Sequence, residues 1–512
     1  MKYSITVLVC VFAYTILPAS EATWSGGVAK ILYSNCTSCH RDGGIAPFSL
    51  MTYDQAAQKS AAIAMEAEEK GMPPFPADIE FREYAHQKVL STQDIKLLRE
   101  WADAGAPAGD LNKAPAPPVY TSKAYIQSPD HIASMPLYTS TAQEGEPDVY
   151  RCFVLSGQLS TEEFISGIEV LPGNPEIVHH VLVFQDTSSI PVQLDARDAE
   201  PGYAGFGGVG SNTATLLAVY APGTQPYYFP KGFGLRLQKN ARIIVQMHYP
   251  AGTKGKQDQT TVRLLFDKSP GVRPVLINSL LDHDQITDGP FIIPANQVKT
   301  FHQEYTAPVN ASLFAVMPHM HLLGKSSKII AITPTKDTIP IVNIPEWDFH
   351  WQMAYTFKTL QKIPRGTVLK SQVTYDNTTD NHHNPNNPPK VVTLGEGTAD
   401  EMMLTYFYYT LYRAGDENIS LENTGGTTGI QEQLPEAEAS IIMEYQNGDV
   451  QAIIKNPLPA YMIISDMLGR QVALYSVEAG QTKLSVHLPA GAYIARLQGA
   501  AHSKPVIFTI SQ

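Results

Sequence analysis

Two histidines two residues apart in MPHMHLLGK, His319 and His321, sit in an apolar run whose neighbours read as core. On a strand, positions i and i+2 share a face, so both imidazoles can turn to one point and hold one metal ion. Three more histidines have strand-like surroundings: His179 and His180 in EIVHHVLVF, and His248 in VQMHYP. Adjacent residues of a regular strand face opposite ways, so His179 and His180 share a metal only where the strand end is irregular. His382 and His383 differ, because the polar stretch YDNTTDNHHNPNNPPK around them reads as a solvated loop.

A second chemistry is written in CTSCH. Cys36 and Cys39 have the spacing that joins two thiols, one turn apart, to the vinyl groups of a haem, with His40 as an axial iron ligand. No second C-x-x-C is present to complete a zinc site. For the sixth iron ligand, Met72 in KGMPPFPAD is the first choice, since the two prolines after it cannot lie in a helix interior. Met65 falls inside a helix and reads as core, and His86 is the alternative. A His/Met pair gives a comparatively high reduction potential. Cys152, in the alternating DVYRCFVL, reads as a buried small apolar residue.

These residues need a large scaffold, and the chain of 512 residues, 43% hydrophobic and 17% charged, can build several cores. A net charge of -12 without a basic run argues against nucleic acid as a partner. Residues 1–22 read as an export signal: a cationic start at Lys2, an apolar stretch from Ile5 to Leu17, and small residues Ser20 and Ala22 before cleavage. Residues 23–112 read as a small helical domain, and 113–128 as a Pro-rich linker. Short turn-bounded strands then predict two β-sandwiches, 129–285 and 286–413, followed by a polar linker over 414–440 and strands over 441–512.

The order HH, then M-H, then H-x-H, then a methionine in GTADEMMLTYFYY resembles the copper type II, ascorbate-dependent monooxygenases that hydroxylate peptidylglycine and dopamine, over roughly residues 130 to 412. The stretch FIIPANQVKTFHQEYTAPVNASLFAVMPHMHLLGK is similar to the one leading into that family's second copper site. The resemblance implies two copper ions: one held by His179, His180 and His248 that stores and passes an electron, and one held by His319, His321 and Met402 that meets dioxygen. A soft thioether favours Cu(I), which reacts with oxygen. Residue types alone leave Met402 and Met403 open; the family places its ligand after a similar acidic pair, which points to Met402. Tyr406 matches a family tyrosine four residues after the ligand. Met317 stands where peptide-amidating members carry a carboxylate-binding arginine, and Leu404 where they carry an asparagine. A glycine-extended peptide is therefore not the expected substrate.

The helical segment is similar to cytochrome c modules fused to such domains in bacteria, and 441–512 resembles the type IX secretion sorting domain, with its basic residues reduced to Lys504. The expected protein is multidomain and mainly β: a small all-α cytochrome c domain, two jelly-roll-like copper sandwiches and a small C-terminal β-sandwich. It is expected to be exported to the periplasm, cell surface or exterior, engaging the type IX machinery. It would hydroxylate a C–H bond of a small-molecule substrate with dioxygen, with electrons from haem c or from an external reductant such as ascorbate. The alternative is a secreted haem and copper electron-transfer or copper-handling protein without hydroxylase activity.

Overall fold

A computed structural model describes residues 22–120, 124–205, 208–222, 224–422 and 424, and further on 440–446, 449–456, 460–466, 471–477, 480–498 and 506–510. The expected export signal, apart from Ala22, and most of the 414–440 linker lie outside these residues. The chain divides into two compact units, Met1–Ile430 and Gln431–Gln512.

Near the start, helices Ala29–Asn35, Tyr53–Ala57, Ser60–Glu68 and Thr92–Asp103 surround a core of Trp24, Leu32, Leu50, Leu98 and Trp101. Two helix starts are fixed by reciprocal capping boxes, Thr52 with Gln55 and Ser91 with Asp94, which satisfy otherwise orphaned amides. Met65, expected in this core, is 46% exposed, because Ala64 and Ala67 take the inward face of its helix. The CTSCH segment continues from the first of these helices, and a Cβ at Gly44 would lie 2.1 Å from the Cys39 carbonyl oxygen, so only glycine fits that close approach.

This helical segment is not a separate bead. Residues 77–87 are built into the second sandwich: Ala77 and Tyr84 belong to the main core, and Tyr84 forms a β-bridge with Phe357. The Tyr84 hydroxyl donates to the Ile341 carbonyl at 2.9 Å, the Ala85 amide donates to Thr356 at 2.8 Å, and the Arg82 guanidinium lies 4.1 Å over the Phe357 ring. The expected linker 113–128 is also pinned at its end, where the amides of Tyr125 and Ile126 donate to the buried Glu169 carboxylate at 2.8 Å each.

Two β-sandwiches follow, joined through one sheet. A five-stranded sheet runs in the order Tyr203–Ala204, Val149–Val154, Arg242–Tyr249, His180–Asp186, Thr215–Tyr220. A four-stranded sheet runs Gln297–Thr306, Val368–Asn377, Gly324–Ile332, Thr338–Ile344. A nine-stranded sheet packs with both in one continuous core, and its strand Arg273–Leu281 pairs parallel with Phe233–Leu237 on one side and antiparallel with Leu404–Leu411 on the other. The expected break at 285/286 therefore falls just beyond the strand that welds the halves together.

The sandwich also extends past its expected end at 413. Asp416 is buried and paired with Arg273, and Leu421 packs into the main core. Taken by itself, Gln431–Gln512 contains a three-stranded sheet (Ser440–Gln446, Asp449–Asn456, Gly480–Val486) and a four-stranded sheet (Gln471–Val477, Ala460–Asp466, Gly491–Gln498, Val506–Ile510) around a shared core that includes Ile454, Met462, Ile464 and Phe508.

Candidate copper and haem site

Alternation on the five-stranded sheet separates two faces. Val181, Val183, Val245 and Met247 point into the main core, so His180 and His248 project from the opposite face, where their Cα positions pair directly. His179 lies one residue before the strand begins at His180. Its amide donates to the His248 carbonyl at 3.0 Å, and the irregular strand start lets both imidazoles of the doublet turn the same way. The Nδ1 atoms of His179 and His248 lie 3.3 and 3.1 Å from that of His180. Metal–nitrogen bonds of about 2.0–2.1 Å put two ligand atoms of one tetrahedral ion about 3.3 Å apart, so this cluster fits a single ion. Burial and then His248 pull the His179 ring down to about 4, and burial takes His180 well below the ordinary imidazole value, which keeps both neutral as metal binding requires.

Outside that cluster, Asp148 accepts from His248 Nε2 at 2.8 Å, from the Ala251 amide at 2.9 Å and from the Thr398 hydroxyl at 2.9 Å. Burial opposes its ionisation, yet these hydrogen bonds hold the carboxyl at about 2. A carboxylate behind a ligating histidine fixes ring orientation and raises ligand basicity. Asp148→Asn is expected to weaken copper at this cluster by roughly 10–100-fold; a competition titration against a copper chelator would detect the change, and an unaltered affinity would remove Asp148 from this role.

The other histidine pair is arranged differently from the expected strand pair. His319 ends the strand Ala311–His319, whereas His321 lies two residues beyond it. The chain turns there because the buried Glu401 carboxylate accepts the amides of His321 at 2.9 Å, Leu323 at 2.6 Å and Met402 at 3.2 Å, in place of a neighbouring strand. Burial pushes the Glu401 carboxyl up to about 8 against the pull of these amides. Each imidazole has its Nδ1 occupied, His319 by Gln352 Oε1 and His321 by the Asp400 carbonyl at 3.1 Å, which leaves Nε2 for a metal. Burial lowers both rings, His321 to about 3.

Met402 and Met403 separate sharply. Met402 lines the same cavity as His319 and His321, while Met403 is buried in a satellite core with Ile293, Phe301 and Tyr375. Tyr406 also lines the cavity, between Leu404 and Tyr408 on one face of its strand and opposite Met317 in register. His382 and His383 are exposed, and Cys152 is fully buried beside Tyr203 and Ile244.

That cavity, of about 1080 Å³, reaches the CTSCH segment as well: Cys36, Cys39, His40 and Met72 line it together with His179, His180, His319, His321 and Met402. The two thiols are unpaired, and the His40 Nδ1 lies 3.2 Å from the Phe48 carbonyl, so its Nε2 is the nitrogen available to iron. These features fit a covalently attached haem. His86 borders the cavity, but its Nε2 is 3.2 Å from the Leu421 carbonyl, whereas Met72 lines the cavity with no such contact among those described.

One contributor was absent from the sequence reading: the loop from Pro345 to Ala354, which touches ligands of both histidine sets. Trp347 Nε1 donates to the His321 carbonyl at 3.2 Å, Phe349 stacks on His179 at 5.0 Å, and Gln352 meets His319. Its tryptophans and phenylalanine carry no spacing signal that separates them from ordinary core residues. The roles of Asp148 and Glu401 were missed for a related reason, since acidic residues near a turn read as solvated, and the pair Asp400-Glu401 served only to place Met402.

No curated protein matches this chain. Among solved structures, the infectious bursal disease virus VP2 subviral particle is 10% identical over 58% of this chain and 76% of its own, with a TM-score of 0.16. The Ruminococcus gnavus β-glucuronidase is 11% identical over 46% of this chain and 44% of its own, with a TM-score of 0.14. Likeness at these scores assigns neither fold nor function. The informative match is local. Residues 285–424, which supply His319, His321 and Met402, match the copper type II ascorbate-dependent monooxygenase C-terminal domain, and so support an oxygen-using copper oxidoreductase at the level of that family.

Proposed function

We propose that this protein is a copper-dependent monooxygenase that hydroxylates a C–H bond of a small organic molecule, with electrons delivered through a haem held by Cys36, Cys39, His40 and Met72. The observation that carries this reading is the single cavity shared by the haem motif and both histidine sets. The balance is R–H + O2 + 2 e⁻ + 2 H⁺ → R–OH + H2O. Copper bound at the two sets would supply one-electron redox chemistry and dioxygen activation. The chain's own residues do the rest. His179, His180 and His248 present Nδ1 atoms to one ion, Asp148 holds the His248 ring, and Glu401 fixes the backbone that carries His321 and Met402. Met317, Leu404 and Tyr406 bring no positive charge to the cavity wall, which favours a substrate without a carboxylate.

The intimate docking of residues 77–87 supports delivery of electrons within one chain, with an external reductant such as ascorbate refilling the haem or the coppers. Export, and sorting by residues 441–512 through the type IX machinery, complete the reading. An electron-transfer or copper-handling role without hydroxylation is favoured only by the apolar Met317 and Leu404, and substrate-dependent oxygen uptake separates the two. The first test is metal analysis of the haem-loaded protein and of His319→Ala. Two coppers per iron, falling toward one in the variant, is the expected result; iron alone after copper loading would overturn the proposal.

A further inference from the structure

The two histidine sets come from different sandwiches, and what lies between them is a phenyl ring. Phe349, only 9% exposed, stacks on His179 with ring centroids 5.0 Å apart and planes 24° apart, and meets His321 edge-on at 6.0 Å and 83°. Resting on the function proposed above, we infer that Phe349 is a positioning residue that sets the contact between the two copper sites and carries their electronic coupling through its ring.

The loop that bears this ring is anchored at both ends of its task. Trp347 donates through its amide to the Lys325 carbonyl at 2.9 Å and through its indole to the His321 carbonyl at 3.2 Å. Gln352 Nε2 donates to the Phe349 carbonyl at 2.8 Å while its Oε1 engages His319 Nδ1. One side chain thus ties the position of the phenyl ring to the orientation of a ligand in the second set. A Cβ at residue 324 would come 2.7 Å from the Trp347 ring, so the tryptophan packs flat against the turn that carries His321.

A second tie crosses the same gap. Asp148, which holds His248, also accepts from Thr398, and Thr398 lies in the loop that continues to Asp400, Glu401 and Met402. The Tyr150 ring stacks on His248 at 4.3 Å, and its hydroxyl donates to the Glu396 carbonyl at 3.4 Å in that loop. The His179 set and the His319 set are therefore held against one another from two sides, with the phenyl ring in the middle. Electronic coupling falls with distance, and less steeply through atoms in van der Waals contact than across solvent.

The test uses the full-length, haem-loaded, copper-loaded protein, fully reduced and mixed with dioxygen without substrate. Dioxygen takes two electrons and two protons to H2O2; the His319 set would supply one, and the other comes from the His179 set or from the haem, whose oxidation is followed separately by its absorption so that only the electron crossing from the His179 set is counted. Rapid-freeze EPR follows the appearance of Cu(II) at each. In Phe349→Leu, which keeps an apolar side chain of lesser reach, the second Cu(II) signal is expected to appear more slowly, by up to about 100-fold for a misplacement of about 1 Å. Two coppers per chain should be retained, and Phe349→Trp should restore most of the rate. Phe349→Ala should slow the step further.

Transfer at the wild-type rate in Phe349→Leu and Phe349→Ala, with both coppers bound, would overturn the inference and leave the proposed function standing. Loss of copper in Phe349→Leu, with no slowing per fully loaded chain, would also overturn it, because the ring would then only support a ligand. A wild-type protein that binds no copper after loading would overturn the function, and this inference with it.

Discussion

Met402→Ala is expected to leave the copper at His179, His180 and His248 in place while oxygen consumption falls by at least about 100-fold, more than changes behind a ligand produce. The thioether is a soft donor that lines the same cavity as His319 and His321 and would stabilise Cu(I) there. Met403→Ala should show the opposite pattern. Met403 is 1% exposed and packs with Ile293, Phe301 and Tyr375, so its truncation opens a core cavity and lowers stability by roughly 2–5 kcal/mol. Its copper content should stay at two. Copper analysis, oxygen-electrode rates and urea unfolding of the two variants form one experiment. Full oxygen uptake in Met402→Ala would reject this methionine as a ligand.

Asp416→Asn is expected to destabilise the sandwich unit by roughly 3 kcal/mol, because it removes a buried carboxylate charge and leaves the half-buried Arg273 without its partner. The Asp416 carboxylate accepts from Arg273 Nη1 at 2.6 Å, Arg273 Nη2 at 2.8 Å, the Ser312 hydroxyl at 2.6 Å and the Arg413 amide at 3.0 Å. These bonds pin the end of the family-matched segment to the strand shared by both sandwiches. Burial alone would raise the Asp416 pKa, but the hydrogen bonds and the arginine charge hold it at about 2, against an ordinary 3.8. A depressed folded value means that its stabilising contribution is complete above about pH 4 and disappears as pH falls toward 2. The amount is about 2 kcal/mol. Thermal unfolding at pH 7 and across pH 4 to 2 checks both statements; a variant with an unchanged midpoint at pH 7 would dismiss the pair as a brace.

Much of the candidate site was readable because its residues are chemically unusual for their surroundings. Histidines amid apolar strand residues, and two cysteines three apart before a histidine, stand out whatever the fold. The alternation around His180 and His248 was legible too, since Val181, Val183, Val245 and Met247 mark the opposite face. Less legible was how the H-x-H pair is held. His321 leaves the strand because Glu401, 80 residues away in sequence, takes its amide, and no local pattern encodes so distant a partner.

By itself, the sequence determined the donor types, the helical and strand-rich segments and the places where an imidazole must find a partner or a metal. These are consequences of side-chain chemistry and short-range periodicity. Only the tertiary structure decided which donors meet. It turned His179 and His180 toward His248, placed Met402 in the cavity and Met403 in the core, drew residues 77–87 into the second sandwich, and set Phe349 between the two ligand sets. Such choices depend on long-range packing and on where each buried amide and carbonyl finds its partner, and those conditions exist only once the sheets are assembled.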